Sequence, residues 1–184
     1  MNKKEAIIIV VFIFALALTV LPMSNILKAS EPIISLDPLP EKTVAKDSPL
    51  QIPINEGVVS SAFGMRIHPI LKVKKMHTGI DIAAPKGTNV YAAKSGKIIF
   101  ADKDGAWGNR IIIVHDEGYR TFYGQLSEFW VKKDEEVQAG QLIGKVGSSG
   151  LSTAPHLHFE IRKNNLPIDP EELLDFSGLK RIKK

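Results

Sequence analysis

From Val58 onward the chain is cut by glycine and by Asn and Asp turns into short runs of β-branched and aromatic residues, and no other feature of its 184 residues restricts the fold as much. The runs cover residues 90–93, 96–101, 110–115, 119–123, 141–146 and 156–161. Each has the length of a strand and is too short for a typical helix. Between them stand Asp104-Gly105, Trp107-Gly108-Asn109, Glu117-Gly118 and Asn164-Asn165, residue types suited to tight hairpin turns. The expectation is an all-β domain of antiparallel hairpins. One helix is expected at its end, where Asp169 can cap, Pro170 suits the first turn, Glu171 and Glu172 favour the positive end of the dipole, and Gly178 can close it.

The front of the chain is of another kind. Residues 6–23 carry no charge and follow Lys3 and Lys4. At 1.5 Å per residue they span roughly 27 Å, close to the hydrocarbon thickness of a bilayer. No small-x-small cleavage site follows, since Leu27-Lys28-Ala29 begins with a bulky residue. Residues 6–23 therefore read as a single-pass anchor, with a cleaved signal and secretion as the alternative. Under either reading Lys3 and Lys4 keep residues 1–5 in the cytoplasm and send the rest outside. Residues 24–55, with Pro32, Pro38, Pro40, Pro49 and Pro53 among polar side chains, read as a linker. Residues 56–172 form the expected domain, and 173–184 a short helix end and basic tail.

Composition narrows the chemistry. The net charge of +4 comes from dispersed residues with few aromatics among them, so nothing marks a nucleic-acid surface. With no cysteine, thiol nucleophiles, disulfide frameworks and Cys-based metal sites are excluded. The hairpin rhythm of residues 131–146 also occurs in biotin- and lipoyl-carrier domains, but the lysine turn that such a carrier modifies is missing.

Any metal must be held by His, Asp or Glu, and all five histidines fall between residues 68 and 158. His77 and Asp81 are four apart, but Thr78, Gly79, Ile80 and Pro85 argue against a helix and place the pair on a loop entering a strand. In 156–161, strand alternation sends His156, His158 and Glu160 to one face and Leu157, Phe159 and Ile161 to the core. A catalytic zinc takes three His or carboxylate ligands and leaves one position open. Either His156 or His158 could complete such a set with His77 and Asp81, and spacing does not choose between them.

Gly64-Met-Arg66-Ile-His68-Pro69, His77-Thr-Gly79-Ile-Asp81, Thr121-Phe-Tyr123-Gly-Gln125-Leu126, Gly140-Gln141-Leu-Ile-Gly144 and Pro155-His156-Leu-His158-Phe-Glu160 follow one another across about residues 57–172. In order and spacing they resemble the motifs of the lysostaphin-type (LytM-like) zinc metallopeptidases. The resemblance implies an antiparallel sheet forming a narrow groove, of the LytM-like or duplicated-hybrid-motif type, with one Zn2+ per chain at its floor. It implies cleavage of peptidoglycan stems or cross-links in the cell envelope. Carried over by position, it makes His77, Asp81 and His158 the zinc ligands and His156 an unligated catalytic imidazole. It makes Glu160 either a carboxylate that orients a ligand imidazole or a plain surface group, and His68 a part of the groove wall.

One position departs from the family. Most active members carry Tyr-x-His-Leu where this chain has Tyr123-Gly-Gln125-Leu126, and that histidine is their second catalytic imidazole. An amide can donate a hydrogen bond but cannot exchange a proton near neutral pH. His115, on the neighbouring strand, is the remaining imidazole that could stand in. Two functional readings follow: a zinc endopeptidase relying on His156, and a zinc-binding but weak or inactive domain that binds wall peptides or an envelope protein partner.

Overall fold

The computed structural model describes residues 49–181. Residues 1–48, with the expected anchor and most of the linker, lie outside them. Among the described residues no helix is long and apolar enough to cross a membrane.

Four short strands come first: β1 (Val58–Ser61), β2 (Gly64–Ile67), β3 (Lys74–His77) and β4 (Ile80–Ala83). The middle of the chain supplies β5 (Asn89–Tyr91), β6 (Gly96–Lys103), β7 (Asn109–Val114), β8 (Tyr119–Phe129), β9 (Glu136–Val137) and β10 (Leu142–Val146). The last are β11 (His156–Lys163), β12 (Leu166–Ile168) and β13 (Lys180–Arg181). Eleven of these form one sheet in the order β13-β1-β4-β11-β8-β7-β6-β9, with β12 paired to β11, β10 paired to β8, and β5 paired to β10. β2 and β3 make a separate hairpin. All pairings are antiparallel except β1 with β13. The all-β expectation holds, and the turns at 104–105, 117–118 and 164–165 fall at the expected hairpin ends.

Alternation builds the core. Leu157, Phe159 and Ile161 of β11 point to the side that Ile80, Ile82 and Tyr123 share, and all six are fully buried. Phe159 stands opposite Tyr123 with ring centroids 5.5 Å apart. Burying each such side chain contributes about 1.5–3 kcal/mol. A one-way chain of hydrogen bonds crosses this core. The Ala93 N–H donates to the Tyr123 hydroxyl (2.8 Å), which donates to Thr121 Oγ1 (2.9 Å). Thr121 donates to His115 Nε2 (2.7 Å), and His115 Nδ1–H donates to the Ser95 carbonyl (2.8 Å). Burial pushes the Tyr123 hydroxyl up to about 12 and holds the His115 imidazole below its ordinary value, so both stay neutral.

Three boundaries differ from the sequence expectation. Residues 50–55, read as the end of the linker, belong to the domain: Ile54 is buried, the Gln51 N–H donates to Ala93, and the Tyr91 N–H donates to Pro53. The expected terminal helix is two 3-10 turns, Pro170–Glu172 and Phe176–Gly178. Asp169 caps the first as expected, but Asp175 accepts from the N–H and hydroxyl of Ser177 and starts a second turn where a helix would have continued. The domain also runs past residue 172, because Leu174, Phe176 and Leu179 are buried and β13 pairs with β1.

Candidate metal centre

β11 lies between β4 and β8, and its groove face carries His156, His158, Glu160 and Arg162 in succession. His158 and Glu160 are buried although they point away from the core, because the walls of the groove cover them. Asp81 of β4 stands directly opposite His158 in the ladder. His77 ends β3, and the turn to β4 carries it back over the same spot. Gly79 lies in that turn so close to the Phe159 carbonyl that a Cβ would collide with the backbone of β11. Only glycine lets His77 and Asp81 approach the strand together.

Three atoms converge here. His158 Nδ1 lies 2.9 Å from Asp81 Oδ1, and His77 Nε2 lies 3.2 Å from each of them. The other nitrogen of each ring fixes its tautomer. His77 Nδ1 lies 2.8 Å from the Ala62 carbonyl, which only accepts, so Nδ1 carries the hydrogen. His158 Nε2 lies 3.2 Å from Glu160 Oε1 and donates to that carboxylate. With neutral rings, two lone pairs and a carboxylate oxygen therefore face one another with no hydrogen between them. Such a set requires a cation, or a proton in its place. Burial alone would pull the His158 imidazole down, but its hydrogen bonds and charge pairing with Asp81 and Glu160 carry it above the ordinary value. Burial would raise Asp81, yet its hydrogen bonds to His158 and His77 hold it far below the carboxylate range. The residues fit a metal ion, and among the described residues they form the one His/Asp/Glu group placed to hold one.

Around the group stands a supporting set. Glu160 is fully buried, and its first oxygen also accepts from Thr78 Oγ1. Its second oxygen takes both Nε (2.9 Å) and Nη2 (2.7 Å) of Arg162. Burial would raise this carboxyl, but hydrogen bonds to His158 and Thr78 and the charges of His158 and Arg162 keep it low. Trp107 meets the His158 ring edge-on at 4.7 Å, and Arg66 Nη2 reaches Asp81 Oδ2 at 3.2 Å. The sequence reading left Glu160 open between two roles, and it missed Thr78, Trp107 and Arg162. The alternation His156, His158, Glu160 extended by one step would have found Arg162.

His156 is held apart from the three. Its Nδ1–H donates to the Ala154 carbonyl (2.8 Å), with Ser152 Oγ 3.2 Å away, and its Nε2 faces Asp81 Oδ1 at 3.6 Å. Geometry thus separates the two histidines that spacing could not: His158 closes the group and His156 stands beside it. His68 accepts from the N–H groups of Ile70 and Leu71 and shapes the β2–β3 turn. His115 has both nitrogens occupied in the core chain described above.

Gln125 occupies a bulge. β8 pairs with β11 up to Gly124 and with β10 from Leu126, and its register against β7 slips by one residue between these points. Gln125 takes the slack with φ +64°, which aims its side chain at the groove. Its Nε2 donates to the Ala106 carbonyl (3.0 Å), and its Oε1 accepts from the Gly150 N–H (2.7 Å). The amide joins the two loops that wall the groove. They pack closely there, since a Cβ on Gly108 would strike Ser149 and Gly150.

The groove, its floor and the His-Asp-His group agree with a metallopeptidase, and comparison with known proteins gives the class. The profile of Peptidase family M23 matches residues 75–170, and the chain belongs to that family. It is 48% identical over 112 residues to the Neisseria meningitidis protein named DD-carboxypeptidase/endopeptidase Mpg, covering 61% of this chain and 26% of that one. It is 39% identical over 112 residues to the Vibrio cholerae peptidoglycan DD-endopeptidase ShyB, covering 60% of this chain and 26% of that one. Among solved structures, the catalytic domain of lysostaphin from Staphylococcus simulans superposes with a TM-score of 0.55 at 38% identity, over 60% of this chain and 86% of that one. The lysostaphin-type resemblance and the fold it implied are borne out. The chain spans about a quarter of the length of the two curated relatives.

Proposed function

We propose that this chain is a zinc-dependent endopeptidase that hydrolyses peptide bonds in peptidoglycan stems or cross-links, outside the cytoplasm and tethered by residues 6–23. The observation that carries the proposal is the convergence of His77 Nε2, Asp81 Oδ1 and His158 Nδ1 with a further imidazole, His156, turned toward them. The name of the Vibrio cholerae relative supports peptidoglycan as the substrate class, and an enzyme acting on that polymer works in the envelope.

Two neutral imidazoles and one carboxylate suit zinc, with His77, Asp81 and His158 as its ligands. When bound, zinc polarises the scissile carbonyl and lowers the pKa of water. The protein's own groups do the rest. Asp81 stays ionised, and Arg66 fixes the oxygen that does not face the group. Glu160 and Ala62 hold the two ligand rings in the tautomers that point lone pairs inward. With the Nδ1 hydrogen of His156 committed to Ala154, its Nε2 lone pair can take a proton from water and return it to the leaving amine. A positioned general base of this kind contributes about 100-fold to 10,000-fold. Gln125 spends both ends of its amide on the loop backbones, so proton transfer rests on His156.

Incubating purified peptidoglycan with the full chain tests this reading. New peptide termini are expected with the wild type and none with His156→Ala. Release by Gln125→His but not by the wild type would show that the chain is a dormant scaffold.

A further inference from the structure

Two cavities open at the His-Asp-His group: one of about 380 Å³ is lined by all three of its residues, the other, of about 680 Å³, by Asp81 and His156, and the two share Arg66, His68, Asp81 and Leu151. Their remaining charges differ. Lys75 and Arg162 line the smaller cavity only, whereas the larger adds hydroxyls such as Ser60, Ser152 and Thr153 and no further charge. Within the smaller one, Arg66 and Lys75 stand directly opposite each other on β2 and β3, and so share a face with like charges. Such a pair destabilises a hairpin unless something anionic answers it. Arg66 is answered by Asp81 and Arg162 by Glu160, but Lys75 has no carboxylate partner among the described residues. Arg66 Nε is buried and also lacks a partner. Trp107 and Leu71 add apolar wall to this cavity, which therefore runs from the His-Asp-His group to an unanswered positive end at Lys75.

We propose that the Lys75 end of this smaller cavity is a carboxylate subsite: Lys75, backed by Arg66, takes a free carboxylate of the bound peptide, which orients the chain across the His-Asp-His group so that its acidic portion lies on the Lys75 side and its uncharged portion in the hydroxyl-lined cavity. The proposal rests on the peptidase reading above. The carboxylate is that of a peptide C-terminus or of an acidic side chain, and the two sources are told apart by amidating one or the other.

The test measures binding to the full chain by calorimetry, so that it does not depend on turnover. Three forms of one stem pentapeptide whose only carboxylates are its C-terminus and that of a single acidic residue are compared: both carboxylates free, the C-terminus amidated, and the acidic residue amidated. The free acid is expected to bind about ten-fold tighter than one of the two amides, the size of a single partly exposed charge-assisted contact. That ratio should fall to about two in Lys75→Ala, drop below one in Lys75→Glu, and shrink as salt is raised. It should be unchanged in Lys133→Ala, an exposed lysine on the turn after β8. Equal binding of all three forms by the wild type, or a ratio untouched in Lys75→Ala, overturns the subsite and leaves the peptidase reading standing. Failure to bind any form, together with no cleavage of peptidoglycan, overturns both.

Discussion

Glu160→Gln is the change from which most can be learned. Glu160 is fully buried, with one oxygen serving Thr78 and His158 Nε2 and the other serving two donors of Arg162. All its partners donate. A glutamine keeps one acceptor oxygen and turns an NH2 toward the other partners, so in either orientation donors face donors. Losing two hydrogen bonds to a charged group costs about 3 kcal/mol. For a domain of this size that lowers Tm by roughly 12 °C. The metal is affected separately, because loss of a group that orients a ligand imidazole weakens binding by about 10-fold to 100-fold. Thermal unfolding with excess chelator reads the first effect, and competition with a chromophoric zinc chelator reads the second. A Tm within about 1 °C of wild type and unchanged zinc affinity would refute the reasoning, since neither Arg162 nor His158 would then depend on the carboxylate.

Other outcomes follow from the same contacts. Gln125→Ala leaves the Gly150 N–H without its acceptor, whereas the Ala106 carbonyl keeps the Leu151 N–H, and a destabilisation of about 1–2 kcal/mol is expected in urea unfolding. Gly79→Ala should abolish metal binding, measured by metal content, because the β3–β4 turn can no longer reach β11. His115 has a folded pKa below its unfolded value of about 6.5, so its contribution is complete above that pH and is lost as pH falls from there toward the folded value. The stability gap between wild type and His115→Gln should therefore narrow from pH 7 to pH 5, and a constant gap would show that the imidazole is not held neutral by burial.

Strand alternation made much of this molecule readable in advance. β6, β7, β8 and β11 announce themselves because each carries β-branched or aromatic residues on its core face and is bounded on at least one side by a Gly or Asn turn. β2 and β3 do not, since each is four residues long and their separate hairpin leaves Met65, Ile67 and Met76 exposed, so no run of core residues marks them. The terminal segment misled because Pro170 and the acidic pair mimic a helix start, whereas Asp175 and the burial of Leu174 and Phe176 divide it into two turns. At the site, His-x-His spacing brought both imidazoles to one face, but only the tautomers and the register of β4 against β11 distinguish them. Gln125 was legible as a substitution. Its use as a tie between two loops was not, because Ala106 and Gly150 contribute backbone atoms that carry no side-chain signature.

The central claim is that His77, Asp81 and His158 hold one zinc while His156 remains free. Metal analysis of the full chain purified without chelator, as wild type, His156→Ala and His158→Ala, tests it directly. About one zinc per chain is expected in the first two and a large loss in the third. A wild type without zinc or with iron in its place, or a loss in His156→Ala equal to that in His158→Ala, would contradict the account.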